Sequence, residues 1–193
     1  MKRILILNGS PRKNGKVSQI LRAMEKSILE GGNEAVFVDV NELSFAACKG
    51  CMVCRSKTEC PLSRDDAHTV CEEIKVCNAI IVGTPIYWGN MNGKLKMLFD
   101  RTVGVMMGES AMGIPRPLHK GKKAVIVTSC TTPFPFNILA GQTTKAVAAV
   151  REILHYSGFR IAGKINLSGT KGMKEVPERV LKKSKKIARR LQP

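Results

Sequence analysis

Four of the seven cysteines fall in one short run, Cys48-x2-Cys51-x2-Cys54-x5-Cys60-Pro61. Thiolates at x2 spacing can wrap a tight turn around one iron–sulfur cubane, with a fourth arriving from further along the chain. The bacterial ferredoxin run has that spacing and also ends in Cys-Pro. Its last gap is three residues; here the gap is five, and the fourth cysteine is local. Zinc fits less well, because structural zinc sites spread two cysteine pairs around a longer insert. A disulfide pair or reactive thiols are the other readings of these residues. Crowding of this kind points to metal or redox chemistry in a reducing compartment before structural crosslinks. Cys71 and Cys77 share a helical pattern with Val70, Ile74 and Val76 and read as core residues. Cys130 lies beyond the fourth apolar run, where it reads as a packing residue, and His68, His119 and His155 have no metal-ligand spacing.

A second chemical signal begins at residues 4–7. This apolar run leads into Asn8-Gly9-Ser10-Pro11-Arg12-Lys13-Asn14-Gly15-Lys16-Val17-Ser18, and a helical pattern starts in or just after that segment. A strand-to-helix loop presents hydroxyls, backbone N–H groups and a positive helix end to one place, which suits a phosphate. Two well-known phosphate loops are excluded. A Walker A loop has four residues between its glycines and Ser or Thr after the lysine; here five separate Gly9 from Gly15, and Val17 follows Lys16. The dinucleotide pattern G-x-G-x-x-G is also missing. The remaining reading is a loop for a different phosphate, such as a monoester, and the bland alternative is a plain polar turn.

The third signal is Thr84-Pro85-Ile86-Tyr87-Trp88-Gly89-Asn90-Met91, which follows another apolar run. It joins the single Trp to one of the two Tyr residues, beside a proline-fixed turn and a glycine. Aromatics at the carboxyl end of a strand suit contact with a flat ring system. In an open doubly wound sheet, ligands bind outside those ends at the switch point between strands one and three. One loop therefore offers a phosphate site and its neighbour a ring site.

Five apolar runs, at 4–7, 35–40, 79–83, 124–128 and 161–167, predict strands of a parallel sheet buried on both faces. Helical patterns lie between them. Val17, Ile20, Leu21, Met24 and Ile28 share one face of a helix closed by Gly31-Gly32. Further helices are expected over about 65–77, 92–101 and 138–156, and in the basic segment 171–193. Alternation of this kind predicts a three-layer α/β sandwich. The 193 residues suit one domain, 1–193, with long loops at 41–64, holding the cysteines, and at 102–121.

Hydrophobic residues are 44% and charged residues 24%, which excludes a disordered chain. No apolar run reaches the roughly 18 residues of a membrane span. The basic start Met1-Lys2-Arg3 precedes an apolar run too short for a signal peptide, so the expectation is a chain that begins inside its fold and stays in the cytoplasm. The formal charge is +17, and 171–193 holds nine Lys or Arg against Glu175 and Glu178. Val180, Leu181, Ile187, Ala188 and Leu191 recur there at helical spacing, so the basic residues read as a solvated face. The sharper reading is a field for anionic cofactors or an acidic partner. Finger spacing, an aromatic RNA-binding strand and a helix-turn-helix pattern are all missing, so no nucleic acid partner is expected.

Asn-Gly-Ser-Pro-Arg at 8–12, and Gly-Thr-Pro-Ile-Tyr-Trp-Gly-Asn-Met at 83–91 with Gly93-Lys94-Leu95-Lys96 and Asp100-Arg101, resemble the flavodoxin-like NAD(P)H-dependent FMN reductase family. The resemblance covers roughly the first 130 residues by motif and the rest by pattern. It implies a flavodoxin-like fold of strand order 2-1-3-4-5 with FMN as cofactor. Ser10, Arg12 and Ser18 would hold its phosphate. Thr84, Pro85, Ile86, Tyr87, Trp88, Gly89 and Asn90 would line the isoalloxazine, and the stretch from Thr128 through Ser129 and Cys130 to Thr131 would close the third side. Relatives commonly place Asn-Thr where Lys16-Val17 stand, so Lys16 and Ser18 would take over from a missing hydroxyl.

The compact cysteine run further resembles the iron–sulfur flavoproteins of the same family. That implies a [4Fe–4S] cluster on Cys48, Cys51, Cys54 and Cys60. The resemblance also implies a homodimer or homotetramer, with electrons passing from NAD(P)H or an acidic ferredoxin-like donor to a small acceptor such as a quinone or flavin. The flavin carries the chemistry in such proteins, and no catalytic side chain is assigned. A thiol-based redox sensor and a non-catalytic electron carrier are the alternatives. True flavodoxins tend to be acidic, which a charge of +17 opposes.

Overall fold

The computed structural model describes residues 1–110 and 112–191. Its elements in chain order are β1 (Arg3–Asn8), α1 (Lys16–Glu30), β2 (Glu34–Asp39), α2 (Cys54–Lys57), α3 (Asp66–Val76), β3 (Ala79–Pro85), α4 (Gly93–Arg101) and α5 (Val103–Met106). There follow β4 (Met107–Glu109), β5 (Pro115–Pro117), β6 (Lys123–Ser129), α6 (Phe136–Leu139), α7 (Gln142–Tyr156), β7 (Arg160–Leu167) and α8 (Glu178–Arg189).

The main sheet is parallel, in the order β2-β1-β3-β6-β7. This is the expected 2-1-3-4-5 order once the small antiparallel pair β4–β5 is set aside. Its three central strands are covered on both sides, which explains their almost unbroken apolarity. Leu5, Leu7, Ile80, Val82, Ala124 and Ile126 point to the layer of α3, α4 and α7, where Val70, Leu95 and Val150 meet them. Ile4, Ile6, Ile81, Val125 and Val127 point to the other layer, against Val17, Leu21 and Met24 of α1 and Ile187 of α8. Side chains alternate across a strand, so each run serves both cores.

Three expectations need correction. The single helix over 138–156 is two, α6 and α7, because the chain takes a left-handed step at Gly141 (φ +68°). The loop at 102–121 contains α5 and the β4–β5 pair. In the basic segment, α8 starts only at Glu178, since Pro177 stands in extended conformation before it; residues 171–177 are not helical. No helix among the described residues is long and apolar enough to cross a membrane.

β1, β3 and β6 end together, with Asn8 paired to Gly83 and Pro85 to Ser129. α1 leaves β1 on one face of the sheet and α4 leaves β3 on the other. The loops after β1 and β3 therefore part at this edge and leave a crevice.

Candidate functional site

The loop between β1 and α1 is shaped by its own side chains. Asn8, fully buried, donates from Nδ2 to Ser18 Oγ (3.0 Å) and Asp39 Oδ1 (2.6 Å) and accepts from the Ser10 N–H (3.1 Å). Ser18 Oγ donates to the Arg12 carbonyl (2.9 Å) and is itself buried, so this hydroxyl braces the loop rather than lining the crevice. Ser10 Oγ closes a small turn on the Arg12 carbonyl (3.2 Å). α1 then opens at Gly15 with no side-chain cap. Its first-turn N–H groups lack intrahelical partners by geometry and are donors suited to an anion.

The crevice holds about 630 Å3, within the range of small-molecule sites. Ser10, Arg12 and Lys16 line it at the helix end; Pro85, Ile86, Tyr87 and Ser129 line it at the strand ends. Tyr87 and Asn90 pair their backbones across a two-residue turn (2.9 Å each way), with Trp88 at φ +51° and Gly89 at φ +72°. Both central residues of such a turn need positive φ, which Gly accepts and Trp does not favour. The turn leaves Trp88 fully exposed at its tip. Ile86, Tyr87, Trp88 and Gly89 border an adjoining hollow of about 270 Å3 with Thr131 and Gln142. Cys130 is buried there and donates from Sγ to Gln142 Oε1 (3.2 Å).

Two expected lining residues do other work. Thr84 is fully buried; its hydroxyl donates to the Pro85 carbonyl (2.9 Å) and accepts from the Asn92 N–H (2.8 Å). Asn90 Oδ1 accepts from the Met91 N–H (2.8 Å), which fixes the exit of the turn. One wall was missed from sequence. Thr170, Lys171, Gly172 and Met173, after β7, close the crevice beside the phosphate loop. Lys16 Nζ reaches the Lys174 carbonyl (2.5 Å) from the opposite side. No known loop motif marks that stretch; its pair Gly169 and Gly172 with Lys171 between them was the available signal.

The cysteine run leaves the same carboxyl edge after β2. Cys48 and Cys51 are exposed, Cys54 and Cys60 half-buried, and all four are free thiols. Cys54 begins α2 and presses on α5: a Cβ at Gly104 would stand 2.6 Å from the Cys54 carbonyl oxygen. Burial pushes the Cys54 thiol up, and the facing Cys60, Cys48 and Cys51 push the same way. Arg55 of α2 ties the run to β4 through both oxygens of Glu109 (3.0 and 3.1 Å). Among the described residues no group of three or more His, Cys, Asp or Glu is gathered as a metal site. Thiols are the donors that an iron–sulfur cluster takes, but these four are not drawn together into one site in this structure. Arg101 Nε donates to Cys60 Sγ (3.2 Å).

Arg101 is braced in turn by Asp65, which caps α3. Burial works to raise the Asp65 carboxyl, but hydrogen bonds from Arg101, the Ala46 N–H and His68 outweigh it and hold it down at about 2. Cys71 lies against this arrangement, pushed up to about 11 by burial and by Cys60. Cys77 is sealed in the core, and burial takes it to about 11. Neither thiol is activated, in line with a packing role.

An open doubly wound sheet with its ligand crevice at the β1/β3 switch point defines a class of α/β proteins that bind phosphorylated ligands there. The chain belongs to the family of flavodoxin-like fold designated Flavodoxin_2, which matches residues 2–191. An iron–sulfur flavoprotein of Methanocaldococcus jannaschii is 31% identical over 106 residues, 55% of this chain and 54% of that protein. The chain spans about half the length of curated relatives that it matches. Among solved structures, NAD(P)H:quinone oxidoreductase from Methanothermobacter marburgensis superposes with a TM-score of 0.74 at 20% identity, covering 100% of this chain and 96% of that one. An FMN-dependent NADH-azoreductase from Bacillus anthracis in complex with FMN gives 0.72 at 15% identity, with full coverage of both chains. At these identities the two structures bear on the fold.

Proposed function

We propose that this protein is an FMN-dependent oxidoreductase that takes electrons from NAD(P)H or a ferredoxin-like donor and delivers them to a small acceptor such as a quinone or a flavin. The observation that carries this reading is the crevice of about 630 Å3 at the ends of β1, β3 and β6. It joins an uncapped helix end with Arg12 and Lys16 to a wall formed by Ile86 and Tyr87. An anion at one end and a flat apolar ring at the other match the two halves of a flavin mononucleotide. The iron–sulfur flavoprotein relatives and the FMN-containing structural neighbour support the same cofactor.

The residues divide the work as follows. Ser10, Arg12, Lys16 and the first-turn N–H groups of α1 take the phosphate, while Asn8 and Ser18 keep the loop in the shape that receives it. Pro85, Ile86, Tyr87 and Ser129 hold the ring plane against the strand ends, and the turn at Trp88 and Gly89 limits the entry of solvent on that side. Bound flavin supplies hydride and single-electron chemistry, so the side chains need only bind, orient and exclude water. Cys48, Cys51, Cys54 and Cys60 would hold a [4Fe–4S] cluster, which supplies one-electron transfer at the same edge of the sheet.

Seven free thiols suit a reducing compartment, which supports the cytoplasm. Trp88 at the tip of the ring-side turn is an exposed apolar residue, as are Phe134, Phe136 and Leu139 in the segment after Thr131 and Thr132 of the adjoining hollow, which supports a homodimer or homotetramer.

Anaerobic purification, then flavin, iron and acid-labile sulfide analysis, tests the proposal. Flavin bands with about four irons per chain support both cofactors. Flavin without iron leaves an FMN oxidoreductase with a cysteine-rich loop. Protein that takes up no FMN when it is supplied overturns the reading, and titrating thiols on such protein would favour a redox sensor.

A further inference from the structure

We propose that Gln142 reads the electron acceptor, donating from its side-chain amide to a carbonyl oxygen of a flat molecule seated in the hollow beside Trp88. The inference rests on the flavin-dependent reading above and names the acceptor subsite of that reading. The hollow of about 270 Å3 shares Ile86, Tyr87 and Thr131 with the crevice, so a molecule held in it stands next to the ring end of that crevice. Its apolar border is formed by Ile86, Tyr87 and the exposed indole of Trp88, which suits a flat ring system. None of the residues lining it is charged, so it offers hydrogen bonds rather than a counter-ion.

A glutamine amide has an acceptor at one end and two donors at the other, and what it recognises depends on which end faces the ligand. Here a thiol decides the orientation. Cys130 Sγ donates to Gln142 Oε1 (3.2 Å), which turns the acceptor end toward the protein, and Nε2 has no partner among the described residues. Cys130 is itself held at both backbone groups. Its N–H donates to the Leu167 carbonyl (2.8 Å), and its carbonyl accepts from the Thr170 N–H and hydroxyl (3.1 Å each). Gln142 opens α7 directly after the left-handed Gly141, so the helix fixes its backbone. The turn at Trp88 lies against the same point: a Cβ at Gly89 would stand 3.8 Å from Gln142 Cα. A donor fixed in this way favours a carbonyl-bearing ring over a hydrocarbon of the same outline, which would leave Nε2 unpaired. Gln142 thus touches the acceptor, and Cys130 is the positioning residue behind it.

The test measures binding without turnover. Oxidised, FMN-loaded protein is titrated with anthraquinone-2-sulfonate and with anthracene-2-sulfonate, which share an outline and a charge and differ in the two carbonyls. Equilibrium dialysis gives the two dissociation constants, and emission of Trp88, the single Trp, reports where the ligand sits. Wild type should bind the quinone severalfold more tightly, with a change in Trp88 emission. Gln142→Leu should keep its FMN and its affinity for anthracene-2-sulfonate and lose about fivefold in quinone affinity, the scale of one hydrogen bond. Cys130→Ala should lose part of the preference, and Cys130→Ser, which keeps a donor, should restore it. An unchanged preference in Gln142→Leu overturns the inference, and so does binding that leaves Trp88 emission unaltered. Cys130→Ala at the wild-type preference overturns the role of the thiol. Wild type that holds FMN and shows no preference removes the acceptor subsite while the FMN assignment stands; wild type that takes up no FMN removes both.

Discussion

The ammonium of Lys16 donates to the backbone carbonyl of Lys174 at 2.5 Å, joining the start of α1 to the segment after β7. The contact is made to a peptide oxygen, and Lys16 itself lines the crevice. Replacing Lys16 by Ala removes both a phosphate cation and this link. The dissociation constant for FMN, read by quenching of flavin fluorescence, should rise about tenfold or more, the scale of one charge-assisted hydrogen bond. Unchanged affinity would place the phosphate elsewhere.

Trp88 keeps a left-handed backbone at φ +51° in a turn that Gly would fill without strain. Trp88→Gly should therefore leave the unfolding free energy within about 1 kcal/mol of wild type, because relief of the αL cost offsets the lost chain restriction. Flavin-dependent turnover should fall, since the indole is the exposed tip of the ring-side turn. Urea unfolding beside steady-state acceptor reduction separates the two effects.

Burial holds the His119 imidazole below its ordinary 6.5, although the hydrogen bond to the Val105 carbonyl (2.8 Å) works the other way. Its ring stacks on Phe159 with centroids 4.7 Å apart. A base whose folded value is lowered binds protons more readily in the unfolded chain. Stability from this group is therefore full above pH 6.5 and declines as pH falls from 6.5 toward the lowered folded value. Urea midpoints between pH 7.5 and about 5 should fall in wild type and fall less steeply in His119→Gln. Asp65 adds an acid limb: its stabilisation is full above 3.8 and is lost as pH drops toward about 2.

Arg55 and Glu109 form a half-exposed pair between α2 and β4. Exposed pairs contribute roughly 0–1 kcal/mol, so Arg55→Ala should barely move the melting temperature. The cysteine run should nonetheless loosen, and alkylation of Cys54, followed by peptide mass spectrometry, should speed up severalfold in metal-free protein. An unchanged rate would show that contact with Gly104 alone secures α2.

The central strands were legible in sequence because strands buried on both faces are apolar at every position, as in 4–7 and 79–83. The loops after β1 and β3 were legible because Gly, Pro, Ser and aromatics stand together where a strand ends. Other features depended on tertiary packing. Ser18 and Thr84 were read as ligand contacts from their places in the motifs, but a short hydroxyl in a tight loop turns inward when a backbone carbonyl is nearer than the crevice. The wall at 170–173 is brought to the site by β7, whose place beside β6 follows from sheet order rather than from any local pattern. The partnership of Arg101 and Cys60, 41 positions apart, left no periodic trace at all.

The crevice takes one wall from residues 10–17 and another from 170–173. On the ribosome the first of these is made early, together with β1 and α1, and waits for the second until β7 has emerged. A nascent chain can therefore lay down β1, β2 and β3 and pack α1 while the ligand still has an open side to leave by. A ligand seated between these two walls is enclosed on both sides only once β7 is in place.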